Sequence, residues 1–220
     1  MKPVLSLPKR AIIFDLDGVL LDSRPNMEQA WRDVQGSLGI TVSFEDYFKN
    51  IGRPFRDILK IIGLQEQSDE IEPIYRQSSK ENFHLATIYP CVVESLKKIQ
   101  DHHIKLGIVT SKDEERTNII VNRLPVKFLS IQTPNSHFRG KPAPDHLLAA
   151  TAELNVDPTD SLYVGDAEVD ALAALRARID YCHANWGYGK TQLDHVTFLS
   201  DIQSLLVVLK LIKSSDTISS

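Results

Sequence analysis

The sequence predicts an α/β protein: a doubly wound, Rossmann-like parallel sheet core with an inserted α-helical cap domain. Three observations lead there. Short apolar runs without strict alternation recur along the chain, as in strands covered on both faces. Amphipathic helical stretches separate most of them, which is the alternation that builds a parallel sheet. The block from Pro25 to Leu85, by contrast, reads as helix after helix and is too long for a crossover between two strands.

Taken in order, the first strand is "AIIFDL" (11–16). The helical block follows as "NMEQAWRDVQGSLGI", "SFEDYFKN", "PFRDILKIIGL" and "SDEIEPIYRQSSKENFHL", punctuated by Gly36, Gly39, Gly52 and Gly63. "VVESLKKIQDH" then sets Val92, Leu96 and Ile99 on one helical stripe. Strands are expected at "KLGIVTS" (105–111), "KFLSIQT" (127–133), "SLYVGD" (161–166) and "IDYCHAN" (179–185), with helices in "PDHLLAATAEL" and "EVDALAALRAR". The division is a core of residues 1–22 and 87–220 and a cap of 23–86. Its crossings fall near Leu21–Pro25 and Ala86–Cys91. The tail "SSDTISS" (214–220) is expected to fray. His102 and His103 are expected at a surface helix end, and Trp31 and Trp186 as packing residues.

Composition narrows the function. With 42% hydrophobic and 25% charged residues, the 220-residue chain is an ordinary globular protein. A net charge of −4 argues against nucleic acid as a partner. No apolar run spans a membrane, because Lys210 interrupts "LLVVLKLI", and "MKPVLSLPKR" has too short an apolar core for a signal peptide. Cys91 and Cys182 lack metal-ligand spacing, so the expectation is reduced thiols in a cytoplasmic protein, a monomer or weak dimer.

In a doubly wound sheet, ligands bind at the carboxyl ends of the strands. Asp15 and Asp17 stand at such an end, as do Thr110 and Ser111 after "LGIV" and Asp166 after "LYVG". Asp170 follows one helical turn after Asp166, and Lys141 lies in the "RGKPAPD" loop. Carboxylates converging without His or Cys invite a hard cation such as Mg2+, which offsets the repulsion between Asp15 and Asp17. Lys141 adds charge and Thr110 a hydroxyl, so the set can hold a phosphoryl group. One aspartate can then attack phosphorus while its neighbour serves as general acid and then general base.

"DLDGVLLDS", "IVTS", "GKPAPD" and "GDAEVD", in that order, resemble the four motifs of the haloacid dehalogenase superfamily, in the helical-cap group of phosphoglycolate phosphatases and β-phosphoglucomutases. The resemblance implies Asp15 as nucleophile and Asp17 as acid/base. It implies magnesium on Asp15, Asp166 and the backbone carbonyl of Asp17, with Asp170 in support and Thr110 and Lys141 on the phosphoryl group. The substrate would be a small phosphomonoester. Arg53 and Arg56 of "IGRPFRDIL" occupy the cap loop that selects substrate in such relatives.

Each motif has a plainer reading when taken alone: Asp-Gly forms turns, Thr caps helices, and acids favour a helix start. The ordered combination is what carries the function. "RGKP" is not a nucleotide P-loop, since Pro142 replaces the Ser/Thr. Cys91 and "LRARID" stand where relatives favour glycine turns. A sugar-phosphate mutase of the β-phosphoglucomutase type is the alternative. It is disfavoured because "SRPNMEQAW" lacks the mutases' histidine and Gly165 stands where they favour an acid. A dehalogenase would lack a carboxylate at Asp17. A phosphorylatable receiver module would be shorter and would have no cap.

Overall fold

The computed structural model describes residues 5, 8–194 and 196–213; the tail expected to fray lies outside them, as does most of the segment weighed as a signal peptide. One sheet of six parallel strands organises the molecule: β1 (Ala11–Phe14), β4 (Lys105–Val109), β5 (Phe128–Gln132), β6 (Ser161–Gly165), β7 (Asp180–Ala184) and β8 (Thr197–Leu199), in the order β5-β4-β1-β6-β7-β8. The central strand β1 pairs with β4 on one side and β6 on the other, so that Phe14 lies opposite both Ile108 and Val164. The chain leaves β1 towards β4 and β5 and then returns across it to β6. The switch point of the topology therefore falls at the end of β1.

Helices α5 (Val92–Asp101), α6 (Glu114–Val121), α7 (Asp145–Leu154), α8 (Glu168–Ala177) and α9 (Ile202–Val208) cover the sheet. Two apolar clusters fill its faces: Ile12 and Phe14 pack among α5 and α9 on one side, Ala11 and Ile13 among α7 and α8 on the other. Because successive β1 residues enter opposite clusters, all four are buried, and the run shows no alternation.

The 25–85 block contains α1 (Arg24–Leu38), α2 (Phe44–Phe48), α3 (Phe55–Ile61) and α4 (Ser68–Glu81), with its own core around Trp31, Tyr47, Ile58 and Ile71. Trp31 stacks on Tyr47 at 4.5 Å. Both chain crossings pair as an antiparallel ribbon of β2 (Leu21–Asp22) and β3 (Thr87–Ile88), two residues each and invisible to periodicity. The sheet also gains β8, a three-residue edge strand absent from the sequence reading.

The two departures from glycine turns share one backbone state. Cys91 before α5 and Arg178 after α8 both adopt left-handed conformations, with φ of 60° and 58°. Arg178 is exposed, so Arg178→Gly removes strain without losing packing. The expected result is a gain of about 1 kcal/mol, or roughly 2–4 °C in Tm, read by calorimetry. An unchanged or lower Tm would show that the left-handed residue carries no strain.

Candidate active site

Asp15 follows β1 directly, and its N–H continues the ladder to Val164 O at 2.9 Å. Gly18 then turns the chain at φ +81°. A Cβ on Gly18 would lie 2.2 Å from Asp166 Oδ2, so glycine is required here by both backbone and space. Thr110 follows β4 and Asp166 follows β6, which brings three neighbouring strand ends to one place. Lys141 arrives from the loop after β5, with Nζ 3.0 Å from Asp15 Oδ2 and 2.7 Å from Asp170 Oδ1.

These groups are almost dry: Asp15, Asp166, Asp170, Thr110 and Lys141 are all at most 4% exposed. Burial pushes the Asp15 carboxyl up to about 7, with Lys141 opposing and the charges of Asp170 and Asp17 adding. Burial likewise raises Asp166 well above the carboxylate range, helped by Asp170 and Asp15. For Lys141, burial acts downward, but Asp15 and Asp170 outweigh it and hold the ammonium above its ordinary value.

Carboxylate oxygens of Asp15, Asp166 and Asp170 lie within 4.8 Å of one another. Their surroundings distinguish them. Asp170 is fully engaged: Oδ1 accepts from Lys141 and from Tyr163 OH at 3.0 Å, and Oδ2 from the N–H groups of Asp166 and Ala167 at 3.2 and 3.0 Å. Among the described residues, Asp15 Oδ1 accepts only the Leu16 N–H, at 2.8 Å, and Asp166 accepts the Tyr188 N–H on Oδ2 at 2.6 Å. An all-oxygen set with excess negative charge and open lone pairs on Asp15 and Asp166 fits a hard divalent cation.

Asp17 lies a little further out. Its Oδ1 accepts from Ser23 Oγ at 2.5 Å and stands 3.2 Å from Lys112 Nζ. Thr110 Oγ1 accepts the Lys112 N–H at 3.2 Å, which leaves the hydroxyl proton available to an anion. Ser111 also lines the site, but its hydroxyl donates to Gly52 O of the helical block at 2.6 Å.

The α1–α4 block closes over this end of the sheet and leaves a cavity of about 50 Å³. Asp15, Asp17, Thr110 and Asp166 form its floor, while Arg53, Met27, Ile51, Phe55 and Tyr75 come from the block. Arg53 also borders a wider outer cleft of about 320 Å³ with Lys49 and Lys190, so it stands between the two spaces. Arg56 is corrected to a surface position: it is exposed, ion-paired with Asp69 at 2.8 Å and Glu72 at 2.7 Å, and does not line the cavity. Sequence reading missed Lys112 and Arg116, both buried and both lining the cavity. Arg116 reaches from α6 into the block to donate to Ser79 Oγ at 2.9 Å and to lie over Tyr75. "TSK" offered a signal for Lys112, a lysine directly after a strand-end hydroxyl pair; nothing local marked Arg116.

The chain is 32% identical over 199 residues to a phosphoglycolate phosphatase of Vibrio vulnificus (strain CMCP6), covering 81% of this chain and 85% of that protein. It is 24% identical over 208 residues to the pyrophosphatase PpaX of Oceanobacillus iheyensis, covering 91% and 96%. A solved hydrolase from Pseudomonas syringae superposes with a TM-score of 0.79 at 26% identity, covering 94% of this chain and all of that one. The model of the haloacid dehalogenase-like hydrolases matches residues 12–184. With that match spanning most of the sequence, the chain belongs to the haloacid dehalogenase-like hydrolase family.

Proposed function

We propose that the chain is a magnesium-dependent phosphatase acting on a small phosphomonoester that carries a second anionic group, with residues 23–86 moving as a cap over a core of 1–22 and 87–220. The observation that carries this reading is the small cavity of about 50 Å³, with three carboxylates on its floor and Arg53, Lys112 and Arg116 in its wall. A space that small favours a short leaving group, and the cations favour one with charge of its own. The substrates named for two relatives, phosphoglycolate and pyrophosphate, share that chemistry.

In this mechanism Asp15 attacks phosphorus and the ester P–O bond breaks as Asp17 delivers a proton to the leaving oxygen. Asp17 then takes a proton from a water whose oxygen attacks the aspartyl-phosphate, which frees phosphate and restores Asp15. Thr110 and Lys141 bind the phosphoryl oxygens, and Asp170 holds Lys141 in place. A cation held by Asp15, Asp166 and the Asp17 carbonyl would neutralise phosphoryl charge. The cap excludes bulk water during both steps.

The test is phosphate release from a panel of phosphorylated metabolites with magnesium, repeated on Arg53→Ala. For the best anionic substrate, losing a charge-assisted bond should lower kcat/KM by roughly ten- to a hundredfold. p-Nitrophenyl phosphate, whose leaving group has no second charge, should change little. Equal losses on both would give Arg53 a general role in the fold or chemistry, and no loss would return it to the surface. Absence of phosphate release from every compound would overturn the phosphatase reading.

A further inference from the structure

Ser23 occupies the position of a helix-capping serine at the start of α1, yet its side chain makes no capping bond. A capping hydroxyl ordinarily accepts an N–H from the second or third helical residue. Pro25 removes the first of these, which leaves Asn26. Instead of turning there, Ser23 Oγ donates to Asp17 Oδ1 at 2.5 Å. The helix start is served from 165 residues further along the chain. The Tyr188 hydroxyl accepts the Ser23 N–H at 2.6 Å and shares the Arg24 N–H, at 3.1 Å, with Asp22 Oδ1 at 3.3 Å. Its own proton is donated to Asp22 Oδ1 at 2.9 Å.

Tyr188 belongs to the core by sequence and to the cap by packing. Its ring joins the apolar cluster of the α1–α4 block and lies 5.0 Å from Phe48. Its backbone N–H is the donor to Asp166 Oδ2. The residue before it must be glycine, because a Cβ on Gly187 would stand 2.3 Å from Asp166 Cβ. One tyrosine therefore touches the cap, the start of its first helix and a carboxylate at the end of β6.

The geometry points to Tyr188 as a positioning residue: its hydroxyl holds the Ser23 and Arg24 N–H groups at the start of α1 and thereby fixes the place from which the Ser23 hydroxyl reaches Asp17. Without that hydroxyl the Ser23 N–H loses its partner in a fully buried place, and the backbone at the start of α1 must shift to find another. A shift of that kind carries Oγ away from Asp17 Oδ1, which it now meets at 2.5 Å. Because Ser23 and Lys112 both engage Oδ1 of Asp17, their contacts leave Oδ2 for the leaving oxygen. Loss of Ser23 would leave Lys112 alone to fix that orientation. This inference rests on Asp17 being the proton donor.

The experiment is a double-mutant cycle on the full chain with magnesium and p-nitrophenyl phosphate. Ser23→Ala and Tyr188→Phe are each expected to lower kcat about tenfold, with KM within about twofold, and the double variant to lose about tenfold rather than a hundredfold. Ser23→Thr, which keeps the hydroxyl, should recover most of the loss. Thermal unfolding supplies a readout independent of activity. Ser23→Ala should lower Tm less in the Tyr188→Phe background than in the wild type, because there the bond from its hydroxyl to Asp17 is already lost. Multiplying kcat losses, an unaffected Tyr188→Phe enzyme, or an equal Tm cost in both backgrounds would overturn the proposal. If Asp17→Asn proved fully active, the proton-donor reading would fall, while the unfolding cycle would still decide whether Tyr188 holds the Ser23 hydroxyl on Asp17.

Discussion

Asp15→Asn is expected to lose turnover by a factor on the order of 10⁴ or more, the scale seen when a covalent nucleophile is removed. The same variant should unfold at the wild-type Tm or above it in metal-free buffer. Asp15 is buried among Asp170, Asp166 and Asp17, and its carboxyl is raised to about 7 because ionising it there is costly. An amide of nearly the same shape removes that cost, while Lys141 retains Asp170 at 2.7 Å. The site is thus a place where charge needed for chemistry weakens the fold. Asp17→Asn should cost less, roughly 10²–10⁴ in kcat, because it removes proton transfer but leaves attack possible. Acid quench during turnover should then find phosphoryl label on Asp17→Asn protein and none on Asp15→Asn. Wild-type turnover by Asp15→Asn would remove the nucleophile assignment.

The parts of this site legible in the sequence are those that lie where an apolar run stops. Asp15, Thr110 and Asp166 each follow a buried strand, so the parallel-sheet rule alone brings them together. The expected strands run one to two residues past the observed ends, because Asp15 and Thr110 each still donate one ladder bond, to Val164 O and Gln132 O, before the chain turns away. The ribbon β2–β3 and the edge strand β8 are too short to carry a period. The rest of the site depends on contacts between the helical block and the core. Ser23 meets Tyr188, and Arg116 meets Ser79 at a sequence separation of 37, and neither pair leaves a local mark. Arg53 and Arg56 show the limit from the other side. Three residues apart, they would share a helix face, but α3 begins only at Phe55. Arg53 therefore lies in the turn above the cavity, whereas Arg56 lies on the helix and is held outward by Asp69 and Glu72.

Stripping divalent metal with EDTA should abolish turnover and magnesium should restore it, whereas calcium should inhibit, because its longer bonds and larger ligand number misplace Asp15. Stability gives a second and pH-dependent reading of the same site. A carboxyl whose folded pKa lies at about 7, against an ordinary value of 3.8, stabilises the fold fully below the lower value and loses that contribution as pH rises through the higher one. Asp166 is displaced in the same direction. Metal-free protein should therefore weaken between about pH 4 and pH 7, by a few kcal/mol for a shift of this size. A bound divalent cation supplies the missing positive charge and is favoured by the deprotonated form, so it stabilises more as pH rises. Calorimetry should find that saturating magnesium raises Tm by roughly 10 °C at pH 7.5 and by much less at pH 5. Turnover surviving EDTA would remove magnesium from the mechanism. An equal Tm gain at both pH values would mean that the cation binds away from Asp15 and Asp166, since protons would then not compete with it.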